Sequence, residues 1–261
     1  MTRTPVVTAP ALQHNEEIHR NRQLWRSKPL LRKIYRDFHL LIAAQINPAL
    51  PGKILELGSG IGAIKEVLPD CITSDLFPNP WLDRQENAYR LDFPDHALSH
   101  LILFDVFHHL QYPGSALAEF LRVLHPQGRL ILFEPAAGFP GKIVYGGFHP
   151  EPLALRDPIS WTAPDGFDPS QAPYYAAQGN AWRIFLRKEI PGGLSSWQIK
   201  KVLLLPALDY LASGGFTGPQ LYPTALHPVL RGLNILLGLF PRISASRMLV
   251  VLESAPAPAA P

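Results

Sequence analysis

Three glycines preceded by an acidic residue form the strongest chemical signal in the sequence. Gly58, Gly60 and Gly62 follow an apolar run in the string ILELGSGIG of residues 54–62. Glycines at such spacing let a ligand approach the backbone closely, and a helix that starts there offers unpaired N–H groups to a carboxylate. Glu56 stands two residues before the first glycine, where it would repel a pyrophosphate. The third glycine also comes one residue earlier than in dinucleotide-binding turns, so the motif favours a cationic ligand without phosphate.

A second acidic residue, Asp75, lies thirteen positions beyond Gly62, at the end of another apolar run. A carboxylate at the end of the strand next to a glycine turn can accept hydrogen bonds from the hydroxyls of a ribose. The spacing therefore predicts that Asp75 recognises a nucleoside, whereas an acid without that spacing would be an ordinary loop residue.

A pair of histidines, His108 and His109, follows the apolar run that ends at Phe104. Histidine is the usual general base near neutral pH, and a hydroxyl acceptor benefits from one. We expect His108 to be the base and take His109 as the second catalytic candidate, which points elsewhere and acts mainly through packing. The alternative is that the pair caps a helix or shapes a pocket. The sequence predicts no metal site.

The elements that must position these residues alternate between strand and helix. Buried apolar strands that alternate with helices predict a parallel sheet covered on both faces, with ligands bound at the carboxyl ends of the strands. The predicted strands are 53–57, 71–74, 101–104 and 129–133, joined later by 197–205 and 247–252, and the predicted helices are 61–68 and 115–124.

The order of these motifs resembles the small-molecule class I S-adenosylmethionine-dependent methyltransferases, in particular the ubiquinone/menaquinone-type and methyltransferase 11 enzymes. The resemblance covers about residues 50–135 and implies a Rossmann-like α/β fold with S-adenosylmethionine as cofactor. That fold has a mostly parallel seven-stranded sheet with helices on both faces, here joined by an N-terminal helical arm and inserted cap segments. The matching segments are ELGSGIG, Asp75, NAYRLDFPD (87–95), FDVFHHL (104–110) and LRVLHPQGRLILFEP (121–135).

The resemblance further implies which residues contact the cofactor. Those at its methionine end are Glu56, Gly58, Ser59, Gly60 and Asp105. Those at its ribose and adenine end are Asp75, Leu76, Asn87, Ala88 and Asp92. Glu56 would face the ammonium group, Asp75 would hold the ribose, and Asn87 would meet the adenine edge. Asp92 stands where many relatives have proline and adds a second adenine candidate, although either residue could simply cap a turn.

We therefore expect a methyltransferase that moves a methyl group from S-adenosylmethionine to a small or lipophilic acceptor, with oxygen as the acceptor atom. An NAD(P)-dependent Rossmann oxidoreductase and a non-catalytic Rossmann-like binding protein remain the alternatives. The aromatic segment 174–183 either lines the acceptor pocket or fills the core of the cap. No nucleic acid is expected, because the aromatic residues of the basic stretch 14–39 are not interleaved in a nucleic-acid-binding pattern. The chain is expected to be a monomer or a homodimer.

Composition divides the chain into four parts. The two ends cannot bury enough apolar surface to order themselves, and the prolines concentrate in the second half. The parts are a disordered N-terminus (1–12), a helical arm (13–48), a methyltransferase domain (49–253) with cap insertions at about 136–195 and 206–246, and a disordered tail (254–261).

The predicted helix around residues 225–240 is apolar on every side except a narrow stripe of His227, Arg231 and Asn234. Such a helix is core, dimer interface or membrane-facing, and burial against the core is the commonest case. No stretch has the apolar length of a membrane span, and the single Cys71 fits a reducing compartment. We therefore expect the cytoplasm, with peripheral membrane contact as an open alternative.

Overall fold

The computed structural model describes residues 9–255, with side chains from residue 16 onward, and contains a seven-stranded sheet. Its strands are β1 (Lys53–Leu57), β2 (Ile72–Asp75), β3 (Arg84–Gln85), β4 (Leu98–Phe104), β5 (Leu124–Pro135), β6 (Trp197–Leu205) and β7 (Arg247–Ser254). Their order across the sheet is β3-β2-β1-β4-β5-β7-β6, and β7 runs antiparallel to both of its neighbours while the other pairs are parallel. The predicted fold class, a mostly parallel seven-stranded Rossmann-like sheet, is confirmed.

Helices and short helical turns connect these strands. The α-helices are α1 (Ala9–Ser27), α2 (Pro29–Ala43), α3 (Pro113–Val123), α4 (Phe139–Gly147), α5 (Leu208–Ser213), α6 (His227–Leu237) and α7 (Pro241–Ser244). Short 3₁₀ turns include Ala63–Glu66 and Phe107–His109, and Trp182–Leu186 forms a π-helical turn. Between residues 9 and 255, no helix combines the length and the apolarity that crossing a bilayer requires.

Alternating side chains of the central strands supply two separate cores, one on each face of the sheet. Leu101 of β4 packs in the cluster that holds Phe120 of α3, whereas the next residue, Ile102, packs in the cluster that holds Ile34 and Phe38 of α2. Successive side chains of a strand point to opposite faces, so a strand covered on both faces is apolar throughout. Helix α2 is therefore part of the cover of the sheet and does not project from it as an arm.

Two predicted elements differ in kind from what the structure contains. The helix predicted over 61–68 is reduced to the 3₁₀ turn Ala63–Glu66, since Gly62 immediately before it has a φ of 72° and delays helical geometry. The Pro-Gln-Gly segment 126–128, whose proline and glycine predict a turn, lies inside β5, where the pairing with β4 shifts register between Leu124 and Arg129. Such a bulge accommodates extra residues without ending the strand.

The predicted disordered ends are shorter than expected. Residues 9–12 belong to α1, and Ser254 is the last residue of β7, where it pairs with Trp197. Pairing with Trp197 holds Ser254 in the sheet although the composition of 254–261 does not favour order. The remainder of both predicted ends, 1–8 and 256–261, lies outside the described residues.

The parallel arrangement brings the carboxyl ends of β1, β2, β4 and β5 to one edge of the sheet. The residues that follow these ends are the glycine turn, Asp75, the Asp105–His109 segment and the Glu134–Pro135 pair. The fold therefore gathers most of the predicted chemical residues in one place.

Candidate functional site

A cavity of about 770 Å³ opens at this edge of the sheet. Its volume lies within the range of about 300–1,000 Å³ that small-molecule sites occupy. Both histidines of the pair line it, as do nine of the ten predicted cofactor residues: Glu56, Gly58, Ser59, Gly60, Asp75, Leu76, Asn87, Ala88 and Asp105. Which of them contact the cofactor remains a prediction.

The glycine turn needs glycine for two different reasons. Gly58, Gly60 and Gly62 all have positive φ, at 64°, 52° and 72°, a region that strains other residues. A Cβ on Gly58 would also come within 2.3 Å of Val106, so the turn packs closely on the segment after β4. A Cβ on Gly60 would meet no described atom within 4 Å, because Gly60 faces the cavity. The Trp81 indole N–H donates to the Gly60 carbonyl at 2.9 Å and so stabilises the turn.

Glu56 is a buried acid in the cavity wall, with 3% of its surface exposed. Burial raises its pKa to about 7; contact with Ser59 opposes that rise, and the charge of Asp75 adds to it. Oε2 of Glu56 has no hydrogen-bond partner among the described residues. Leaving a buried carboxylate oxygen unpaired is costly, so the site fits a ligand that brings a cationic donor such as an ammonium group.

Asp75 is likewise buried, at 4% exposure, and its carboxylate ties strand β2 to the glycine turn. Its Oδ2 accepts the Gly60 N–H at 3.0 Å. Asn87, across the cavity, donates from Nδ2 to the Pro169 carbonyl at 2.8 Å, and its Oδ1 accepts the Tyr89 N–H at 3.0 Å. Asn87 thus caps a turn while it lines the cavity, and its contact with the adenine edge stays a prediction.

Asp92 is the one predicted cofactor residue that the cavity lining lacks. Its side chain is 94% exposed and pairs with Arg84 at 2.9 Å. Its neighbours Leu91 and Phe93 are buried in the core, so the residue between them points to solvent. The structure therefore does not bring Asp92 to the cavity, and its role as a second adenine contact stays a prediction that this placement does not support.

Asp105 follows β4 in a left-handed conformation, with φ 57°, and forms an ion pair that the sequence did not reveal. Its Oδ1 lies 2.6 Å from Nη2 of Arg247, the first residue of β7. The Arg247 side chain is 1% exposed and lies 4.9 Å from the ring centre of Phe133 and 5.2 Å from that of Tyr210. Aromatic faces attract a guanidinium, so the cation is held by both the carboxylate and the rings.

His108 is held between two carboxylates. Its Nδ1 lies 2.6 Å from Glu134 and its Nε2 lies 3.5 Å from Glu151. Glu134 is itself fixed, because it accepts the backbone N–H groups of Val106 and Phe107 at 2.9 and 2.7 Å. Burial alone lowers the pKa of His108, but the two carboxylates outweigh burial and raise it to about 10. His108 is therefore an imidazolium at neutral pH.

His109 has the opposite protonation state. Its Nδ1 lies 2.9 Å from the Tyr175 carbonyl, and since a carbonyl only accepts, Nδ1 carries the proton. Burial and the charge of His108 lower its pKa to about 4, so the ring is neutral and Nε2 keeps a lone pair. That Nε2 lies 3.7 Å from Glu151. The two rings line the same cavity with centres 4.1 Å apart, so the expectation that they point to different places is wrong.

The same side chains are close enough to share a metal ion. His108, His109 and Glu151 each place a ligand atom within 4.8 Å of the other two, and Asp105, His108 and Glu134 do the same. The imidazolium of His108 already compensates the carboxylate charge at this point. The sequence predicts no metal here, and that stays a prediction.

Sequence reasoning assigned no role to Glu134, Glu151 or Arg247. Glu134 comes at the end of a predicted strand, as Asp75 does, so its position could have identified it as a residue of the site. Glu151 lies in an irregular segment without periodicity, where it accepts hydrogen bonds from the Tyr174 hydroxyl and from Gln178. Tyr174, Tyr175 and Gln178 line the cavity, whereas Ala181 and Trp182 are buried in the core, so each of the two alternatives for segment 174–183 holds for part of it.

Comparisons with known proteins agree with this geometry. Residues 55–132 match the family model described as "Methyltransferase domain". A solved S-adenosylmethionine-dependent methyltransferase from Thermotoga maritima is 14% identical and aligns over 92% of this chain and 98% of its own, with a TM-score of 0.51. One from Archaeoglobus fulgidus is 12% identical over 86% and 94% of the two chains, with a TM-score of 0.49. The search of the curated proteins found no match. Residues 55–132 therefore form a methyltransferase domain, and the chain shares the fold of the Thermotoga maritima enzyme.

Proposed function

We propose that the protein transfers a methyl group from S-adenosylmethionine to a hydroxyl oxygen of a lipophilic acceptor, with His109 as the general base. One observation carries this proposal. The Nδ1 proton of His109 is fixed on the Tyr175 carbonyl, which leaves the Nε2 lone pair in the cavity that also contains the glycine turn and Asp75. A neutral imidazole so oriented can accept a proton from an acceptor.

The cofactor half of the cavity supports S-adenosylmethionine. The unpaired Oε2 of Glu56 suits the ammonium group of the methionine part, and the open face of Gly60 suits close approach of a ligand to the backbone. Asp75 lies one strand away, where a ribose bound over the turn would meet its carboxylate. These three residues keep the roles that the sequence predicts for them.

The acceptor half of the cavity supports a lipophilic substrate. Aromatic rings make up much of its wall, and a few polar groups converge on one point, as in sites that bind an apolar body and orient one functional group. The aromatic residues include Tyr35, Phe104, Phe148, Tyr174, Tyr210 and Phe216.

The residues around His109 support its role as base. S-adenosylmethionine supplies an electrophilic methyl group, and holding the acceptor in line with it can contribute about 7–11 kcal/mol. The acceptor oxygen would form its bond to the methyl carbon as the carbon–sulfur bond breaks and S-adenosylhomocysteine leaves, and the hydroxyl proton would pass to Nε2 of His109. His108, protonated and held by Glu134 and Glu151, keeps His109 neutral through its charge. His108 is thus a positioning residue, which exchanges the roles that the sequence suggested for the pair.

The pH dependence of kcat tests this assignment once a panel of lipophilic alcohols and phenols has provided an acceptor. With His109 as base, the rate is flat between pH 6 and pH 8 and falls only as the pH approaches about 4, where the ring becomes protonated. His109→Ala should lower kcat by about 10²–10⁴-fold and leave cofactor affinity unchanged. His125→Ala, at the opposite edge of the sheet, is the matched control.

The competing assignment gives a different profile. With His108 as base, the rate would climb with pH until about 10, because only the deprotonated ring could accept a proton. A climbing profile, or near wild-type turnover of His109→Ala on an oxygen acceptor, would show that His109 is not the base.

A further inference from the structure

Helix α6 exposes most of its apolar side chains and buries part of its polar stripe. Two residues of its polar stripe face the protein: His227 is 1% exposed, and Asn234 donates to Asp209 at 2.7 Å and accepts the Leu208 N–H at 2.9 Å. Its apolar residues face outward, with Val229 64% exposed and the other outward side chains comparable. An amphipathic helix on a water-facing surface has the reverse arrangement. Of the three alternatives for this helix, burial of its apolar side against the core is therefore the one that the structure contradicts.

The outward residues continue over α7 and onto α4 as one surface, which we call the apolar face. Ser244 donates to the Leu237 and Phe240 carbonyls at 2.7 and 2.9 Å and joins the end of α6 to α7. Helix α7 packs against α4. The most exposed members of the apolar face are Ile235 (78%), Leu239 (70%), Phe139 (65%), Ile243 (65%), Val229 (64%) and Phe240 (63%). Single exposed apolar residues are ordinary, but a contiguous group of this kind marks an interaction site.

The charged side chains on the three helices that form the apolar face all have one sign. Residues 210–252 contain no aspartate or glutamate, and Lys142, Arg231 and Arg242 are exposed on the helices that form the face. Arg231 has an acidic neighbour at 3.4 Å, Asp37 of α2, yet its side chain stays 57% exposed. A cationic border around an apolar surface complements anionic lipid headgroups over an acyl layer.

We propose that the apolar face docks in the surface of an anionic lipid bilayer, with α6 and α7 lying in the plane of the membrane. A second copy of the chain fits the apolar face less well than a lipid surface does. A two-fold dimer would bring the same patch of both subunits together, so that the cations of one meet the cations of the other without an acidic partner.

The apolar face adjoins the mouth of the cavity. Phe148, immediately after α4, is 82% exposed and lines the cavity, and Leu221, before α6, is 73% exposed and does so too. A docked protein would present this mouth to the lipid, so a lipophilic acceptor could enter without crossing water. Only this last step depends on the proposed function, because docking itself requires no substrate.

Vesicle flotation without substrate tests the docking. We expect the protein to float with vesicles of phosphatidylcholine containing phosphatidylglycerol and to bind at least tenfold less to phosphatidylcholine alone. The double variant Ile235→Glu/Phe240→Glu should lose at least tenfold in the vesicle-bound fraction, since two charges would enter the acyl boundary. Gln127→Glu, an exposed position at the opposite edge of the sheet, adds charge away from the apolar face and should bind as the wild type does.

Two results would overturn the proposal. One is absence of vesicle binding, or binding equal in the wild type and the double variant. The other is a concentration-dependent dimer in sedimentation analysis that the double variant abolishes while vesicles bind neither protein, which would assign the face to a second copy. Calorimetric titration with S-adenosylhomocysteine on the same samples shows that the variant is folded and reports separately on the methyltransferase site.

Discussion

Replacing Glu56 by glutamine separates the contribution of its charge to cofactor binding from the contribution of its shape. A change of pH varies the same charge in the wild type. The free protein holds the pKa of Glu56 at about 7 because the carboxyl is buried. An ammonium group placed against it favours the ionised form and returns the pKa toward its ordinary value of about 4.3. The neutral acid cannot pair with a cation, so cofactor binding should weaken as the pH falls through 7.

The size of the effect follows from the two pKa values. A fall of the Glu56 pKa from about 7 to about 4.3 corresponds to about 4 kcal/mol between its two protonation states. Between pH 8 and pH 5 the dissociation constant of S-adenosylhomocysteine should then rise roughly 80-fold, and binding at pH 6 should release about 0.9 proton. Calorimetric titration in buffers of different ionisation enthalpy measures both quantities.

The variant provides the control. Glu56→Gln should bind about 10–100-fold more weakly at pH 8, since a hydrogen bond to a charged group is worth about 1.5–3 kcal/mol. Its affinity should not change between pH 8 and pH 5.5, where the wild type changes steeply. A wild-type affinity that is constant over this range, with no proton released, would refute the assignment of Glu56 to the ammonium group.

Two further variants test neighbouring contacts. Asp75→Ala should cost about 2–4 kcal/mol of cofactor affinity by calorimetry, because the ribose loses its acceptor and the Gly60 N–H loses its partner; unchanged affinity in a folded protein would place the ribose elsewhere. Asp105→Ala should lower the free energy of unfolding in urea by about 3 kcal/mol, since Arg247 is left buried without its carboxylate. As the control, Asp95→Ala breaks an exposed ion pair and should change the free energy of unfolding by less than about 1 kcal/mol. Equal losses of stability in the two variants would contradict the importance of the Asp105–Arg247 pair.

Much of the site could be predicted because it depends on local patterns. The spacing of the glycines predicts the turn in which they adopt positive φ, and runs of apolar residues predict the buried strands. Once the strands are parallel, the residues after their carboxyl ends must share one edge of the sheet. That rule alone brings Glu56, Asp75 and the pair His108 and His109 to one cavity.

What the sequence could not settle depends on contacts between distant segments. Asp105 and Arg247 are 142 positions apart, and nothing local to either indicates the other. The same holds for the protonation of the histidine pair. The sequence places His108 and His109 side by side, yet their opposite charge states come from Glu134 at a strand end and Glu151 in the cap.

Helix α6 shows the same division. Composition and periodicity determined that residues 225–240 form a helix with one narrow polar stripe. Which side faces the protein was decided by Asp209 and Leu208 of α5, because buried polar groups need partners and Asn234 finds them there. A sequence specifies the pattern of a surface, whereas only the packed neighbours decide whether that surface is covered.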